Sequence, residues 1–137
     1  MSNTRIKICC IGSLEEVQLA ISHGVSALGL VSAMPSGPGV IEESLIADIA
    51  QHTPPGVANV LLTSKQDATS IIDQQRRCRV NTLQLCDALP FSEYPKLHGQ
   101  LPGITIMQVI HVRDESAIDE AADVAPHVHG LLLDSGN

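Results

Sequence analysis

At 137 residues and a formal net charge of −7, the chain has the length of one domain and the wrong sign for gripping a phosphate backbone. Hydrophobic residues make up 44% of it but aromatics only 1%, so the core is aliphatic and no ring platform exists for stacking bases. Nucleic acid is excluded as a partner on both grounds, and the absence of any apolar run of membrane-spanning length excludes the membrane too.

Residues 1–5 are polar and the apolar run after them is too short for a signal peptide, so a cytoplasmic protein is expected. The four cysteines, Cys9, Cys10, Cys78 and Cys86, form neither a pair of CxxC motifs nor a secreted disulfide framework. Cys10, Cys78 and Cys86 read as packed thiols in a reducing compartment.

The first strand is expected over 5–11. Alternation puts Lys7, Cys9 and Ile11 on one face and Ile6, Ile8 and Cys10 on the other. A lysine sits badly against covering helices, so the Lys7 face is the one that opens into an interior or mouth. Cys9 then points inward near the strand's C-terminal end, with the Lys7 ammonium one pleat below it. A helix over 14–23 follows, begun by a capping box of Ser13 and Glu16 and ended at Gly24.

The second strand, 27–31, runs into a Pro/Gly-rich turn at 33–39 on the same rim as Cys9. That turn lacks the strand–GxGxxG–helix setting of a dinucleotide site. A helix over 42–52, a strand over 58–63 and a helix over 67–78 come next. The basic run at 76–79 reads as a solvated helix end. The fourth strand, 82–86, puts Thr82, Gln84 and Cys86 on the pocket side, with Gln84 a substrate-contact candidate.

A fourth helix over 93–98 is crowded by Pro90, Pro95 and Pro102 and is expected to be as short as one turn. The fifth strand, 105–112, carries His111 to the functional rim, a second contact candidate. A fifth helix, 115–125, has carboxylates toward its N-terminus and stops at Pro126. His127 and His129 have no third ligand nearby in sequence, so no metal is expected there. The sixth strand, 130–134, closes three leucines with Asp134, and a carboxylate there is poorly explained by packing.

Strand starts fall roughly every 25 residues, the repeat of a parallel α/β protein. A closed eight-strand barrel at that spacing needs roughly 190 to 200 residues, so two architectures fit six strands. One is an open doubly wound sheet of the flavodoxin type, in which Cys9 is merely packed. The other is a (β/α)8 TIM-barrel type, incomplete in this chain, with residues 1–137 a single partial barrel domain. Sequential strand order would select the barrel, and a reversal the open sheet.

A thiol and a carboxylate at strand ends suit proton transfer in two places. A cysteine with a reference pKa near 8.5 is only a few per cent thiolate at neutral pH, and the Lys7 ammonium is the candidate to raise that fraction. Cys9 would abstract a carbon-bound proton as general base, and Asp134 would protonate an oxygen leaving group.

The segments Lys7-Ile8-Cys9, Gly24-Val25-Ser26-Ala27-Leu28-Gly29-Leu30-Val31, Pro54-Pro55-Gly56-Val57, Leu83-Gln84-Leu85 and Leu132-Leu133-Asp134-Ser135 resemble successive strand motifs of the phosphoribosylanthranilate isomerase family, in its order and at about its spacings. The resemblance implies a (β/α)8 barrel of tryptophan biosynthesis with no metal or organic cofactor. It implies the Amadori rearrangement of N-(5-phosphoribosyl)anthranilate, with the general base on Cys9 and the general acid on Asp134. A small phosphorylated sugar is then the substrate, contacted by Lys7, Gln84 and His111.

Several positions depart from the family pattern. Cys10 stands where the family has Gly, and Cys86-Asp87 where it has His-Gly. The loop at 36–40 supplies no arginine. The phosphate-binding loops of the seventh and eighth strands have no counterpart in these residues. The alternative is therefore a non-catalytic paralogue or truncated barrel that binds a phosphorylated metabolite or a protein partner. A longer native chain, or self-association through open sheet edges, is expected to close the sheet.

Overall fold

The computed structural model describes residues 3–135. In chain order it runs β1 (Lys7–Ile8), α1 (Leu14–Ser22), β2 (Ala27–Val31), α2 (Glu43–His52), β3 (Ala58–Thr63), α3 (Ala68–Cys78), β4 (Thr82–Leu85), α4 (Glu93–Gln100), β5 (Thr105–His111), α5 (Ser116–Val124) and β6 (Gly130–Asp134). All strands pair in parallel in the order β1-β2-β3-β4-β5-β6. With no reversal there is no topological switch point, and the open doubly wound alternative is overturned.

One face of the sheet carries the main core. Leu28, Leu30, Leu61, Leu83, Leu85, Ile106 and Ile110 point at the helices and bury against Ile46, Ile49, Ile71 and Leu97. The alternate residues Val31, Val60 and Leu62 form a smaller cluster on the helix-free face, with Ala27, Ala58, Met34 and Cys86 around it. On a flat sheet β1 and β4 would lie three strand spacings, about 14 Å, apart. Yet Lys7 Nζ donates to Gln84 Oε1 at 2.8 Å across that interval. The sheet is therefore curled with its helix-free face inward, an incomplete (β/α)8 barrel of six units.

Local chemistry sets the helix ends. Ser13 Oγ accepts from the Glu16 amide at 3.2 Å, while Glu16 reaches back to the Gly12 amide at 2.6 Å. Asp67 caps α3 through the Ser70 amide at 2.8 Å. α4 starts where expected and runs two residues past the expected 93–98, rather than shrinking to a single turn. Pro95 is its third residue, where a proline's missing N–H would have had no helical partner.

Three expectations fail at the first strand. It was expected over 5–11 and is confined to Lys7–Ile8, because Cys10 takes a left-handed backbone with φ 59°. Pairing resumes after that kink, the Ile11 amide donating to the Gly29 carbonyl at 3.1 Å. The alternation is reset across it, so Ile11 does not share the Cys9 face. It is buried on the helix side with the main core. Cys10, read as a packed thiol, is exposed instead. No helix among the described residues is long and apolar enough to cross a membrane.

Candidate active site

Parallel strands that all end on one rim, with helices behind them, leave their C-terminal loops to form a mouth. A cavity of about 490 Å³ lies there. The turn after β2 contributes Met34, Pro35 and Ser36, and β3 is followed by Ser64. The end of β4 adds Cys86 and Asp87, the end of β5 His111 and Arg113, and the end of β6 Asp134. His111 and Asp134 are register partners across β5 and β6, so two candidates from the sequence stand side by side.

His111 has a structural task as well. Its Nε2 lies 2.9 Å from the Cys86 carbonyl, which accepts and so requires the proton on Nε2, while Nδ1 is buried with no hydrogen-bond partner among the described residues. The contact ties the end of β4 to β5. The Asp134 carbonyl accepts from the Val112 amide at 2.6 Å, holding the two strand ends in register.

Lys7 and Gln84 lie together beneath the mouth as a hydrogen-bonded pair, neither lining the cavity. Cys9 is exposed and borders a different space, an apolar groove of about 660 Å³ between β1 and α1 with Ile8, Cys10, Leu19 and Val25. The candidates thus fall into three places: His111 and Asp134 at the mouth, Lys7 and Gln84 under it, Cys9 at the β1 edge.

Cys86 connects them. It lines the mouth with Asp134, and the charges of both Lys7 and Cys9 act on it. Burial pushes the Cys86 thiol up to about 11, the Asp87 carboxylate adds to the rise, and the Lys7 ammonium opposes it. Cys86 stays protonated at neutral pH. The Cys10 thiol is also raised, by burial first, then by the charge of Cys9 and a hydrogen bond to it, with Lys7 opposing.

Glycines bring β1 close to the rest. A Cβ on Gly29 would lie 2.9 Å from both Cα and Sγ of Cys9, so only glycine lets the end of β1 approach β2 there. A Cβ on Gly39 would lie 2.6 Å from the Cβ of Cys10. Cys10 Sγ also sits 3.7 Å from the Pro38 carbonyl, so the Pro/Gly turn is folded around this side chain.

Sequence reasoning passed over Ser64 and Arg113, took Asp87 only as a departure, and placed Cys86 on the pocket side without giving it a role. Each stands within two residues of the last pleat of an inward-facing strand, which is the signal that finds them. Arg113 escaped because a guanidinium was sought in the turn after β2. His127 and His129 are spent structurally: His127 stacks on Phe91 and Tyr94, with ring centroids at 4.9 and 5.4 Å. His129 Nδ1 accepts from the Ile106 amide at 2.9 Å. Among the described residues no group of three or more His, Cys, Asp or Glu is placed to hold a metal.

No family model matches the chain. Among curated proteins it is similar to the N-(5'-phosphoribosyl)anthranilate isomerase of Methanocella arvoryzae, 27% identical over 134 residues that cover 98% of this chain and 63% of that one. The corresponding protein of Haloarcula marismortui is 31% identical over 136 residues, covering 96% and 60%. The chain therefore spans about three fifths of the length of these relatives. The structure of phosphoribosyl anthranilate isomerase from Thermus thermophilus superposes with a TM-score of 0.81 at 25% identity, over 95% of this chain and 62% of that one. The Thermotoga maritima structure gives 0.83 at 24% identity, over 96% and 61%, a likeness of fold.

Proposed function

From the premise that this chain belongs, over its six strand–helix units, to the phosphoribosylanthranilate isomerase family, we propose that it serves the isomerisation named for those relatives. The substrate is N-(5-phosphoribosyl)anthranilate and the reaction an Amadori rearrangement of aldose to ketose type in tryptophan biosynthesis, without metal or organic cofactor. The observation that carries this reading is the pair of strand ends. Asp134 lines the mouth at the end of β6, and Cys9, one residue past the end of β1, acts by its charge on Cys86, which lines that same mouth.

In the proposed sequence the Asp134 carboxyl protonates the ribose ring oxygen as the C1–O bond breaks. The electron pair of the anilino nitrogen forms the C1=N bond of a protonated Schiff base. The Cys9 thiolate then removes the C2 proton, and that electron pair forms the C1=C2 bond of the enolamine as the C1=N π pair returns to nitrogen. Protonation at C1 and loss of the hydroxyl proton at C2 give the ketone. Lys7 and Gln84, joined beneath the mouth, contact the sugar from below, and His111 borders it at the rim.

Anthranilate fluorescence tests the reading. Enzymatically generated phosphoribosylanthranilate is supplied to the protein and its consumption followed, beside complementation of a tryptophan auxotroph. Loss of substrate at a rate proportional to protein supports the isomerase. Failure of both favours the second reading, a binding-only relative, for which the separation of Cys9's groove from the mouth is the specific observation.

The free cysteines suit a reducing cytoplasm. The open edges carry exposed apolar side chains, Leu19 at 61% beside β1, and Leu133 at 67% and Ile118 at 70% beside β6. Self-association through these edges belongs to the same proposal.

A further inference from the structure

The mouth holds a charged side chain to which the two proton-transfer roles give no task. Among the residues that line it, Arg113 alone is a lysine or arginine, and it shares the space with the carboxylates of Asp87 and Asp134. Two of the other four guanidiniums are already committed, Arg77 to Glu43 at 2.6 and 3.2 Å and Arg76 to Gln100 at 3.4 Å, and neither Arg5 nor Arg79 lines the mouth. Arg113 is exposed and takes part in none of the ion pairs or side-chain hydrogen bonds found among the described residues. A mouth lined by acidic side chains disfavours an anionic ligand unless a cation meets it at the rim.

We propose that Arg113 binds the carboxylate of an aromatic acid on the ligand, fixing the ring end of the substrate at the rim while the sugar lies toward Asp134. This rests on the isomerase reading, which supplies a ligand with one aryl carboxylate and one phosphate. Two features favour the carboxylate over the phosphate. Met34 and Pro35 share the cavity with Arg113 and offer an apolar wall for an arene, which a phosphate would leave unused. A guanidinium fork also matches the two coplanar oxygens of a carboxylate with two parallel hydrogen bonds. Arg113 is therefore a specificity-determining residue supplied by the β5 end, in a chain whose β2 turn carries none.

The test is calorimetric binding of two ligands to the protein and to its Arg113→Gln and Arg113→Lys variants. One is reduced 1-(o-carboxyphenylamino)-1-deoxyribulose 5-phosphate, and the other is the same compound without the ring carboxylate. The expected result is a loss of about 10- to 100-fold for the carboxylated ligand with Arg113→Gln, partly recovered by Arg113→Lys. The ligand lacking the carboxylate should change by less than about threefold, and circular dichroism should be unaltered because Arg113 is exposed. Equal losses for both ligands would assign Arg113 to the phosphate and overturn the proposal, as would unchanged affinity for both. No binding of either ligand by the unsubstituted protein would instead sink the isomerase reading, and this assignment with it.

Discussion

Cys10 holds a left-handed backbone that costs a residue with a Cβ about 1–2 kcal/mol, and its side chain is accommodated only because residue 39 is glycine. Cys10→Gly should leave stability unchanged or raise it by up to about 1 kcal/mol, since relief of strain competes with the extra freedom of an unfolded glycine. Gly39→Ala should destabilise by about 1–3 kcal/mol, because its own φ is 83° and its methyl group meets Cys10. In the double variant the contacts with the Cys10 Cβ and Sγ are gone, the one at 3.0 Å from its Cα stays, and part of that loss returns. Urea denaturation of the four proteins gives the coupling directly, and additive effects would show that the contact carries no energy.

A second residue sets an alkaline limit. Burial pushes the Cys78 thiol from an ordinary value near 9 up to about 11, the Glu43 charge adds to this and the Arg77 charge opposes it. The folded state therefore favours the protonated thiol. Its contribution is complete below about 9 and is lost as pH rises through about 11. The melting temperature should fall across that window, and less steeply in Cys78→Ala. Identical slopes in the two proteins would contradict the assignment.

Among the elements, a buried polar network joins α4, β4 and β5. Tyr94 Oη donates to Gln108 Oε1 at 2.7 Å, and Gln108 Nε2 donates to the Leu85 and Asp87 carbonyls, each at 3.0 Å. The network thereby fixes the loop that delivers Cys86 and Asp87 to the mouth. Gln108→Leu strands a buried hydroxyl and two carbonyls and should cost about 1–3 kcal/mol in chemical denaturation. A stability within about 0.5 kcal/mol of the parent would mean the network is not holding that loop.

This level also shows what the residues alone disclosed. Strands β2 to β6 were legible to within a residue or so, because strands of a parallel sheet buried on both faces read as continuous apolar runs. α1 was legible from Ser13 and Glu16. The break in β1 was not, since nothing in the type of Cys10 announces a positive φ. The Tyr94–Gln108 network joins elements distant along the chain and leaves no local trace. The inward placing of Lys7 and Gln84 followed from alternation, but their mutual hydrogen bond required the curl of the sheet. Arg113 follows the expected end of the fifth strand by one residue and was passed over, because a guanidinium was sought in the turn after β2.

Across the whole molecule, the curl determines what the two proton-transfer candidates can share. β1 and β6 are the outer strands of a six-stranded sheet, so Cys9 and Asp134 come from opposite edges. In the proposed reaction a single small substrate must reach both, so turnover should be sensitive to anything that alters the relation of those edges. Exposed apolar side chains along each edge add to this sensitivity.

The most direct measurement is the rate of phosphoribosylanthranilate consumption by Cys9→Ser and Asp134→Asn beside the parent protein, with circular dichroism confirming that each variant is folded. If a thiolate base and a carboxyl acid carry the chemistry, each substitution lowers kcat by at least about 100-fold while the fold is retained. A folded variant of either kind that consumes substrate at the parent rate would contradict it.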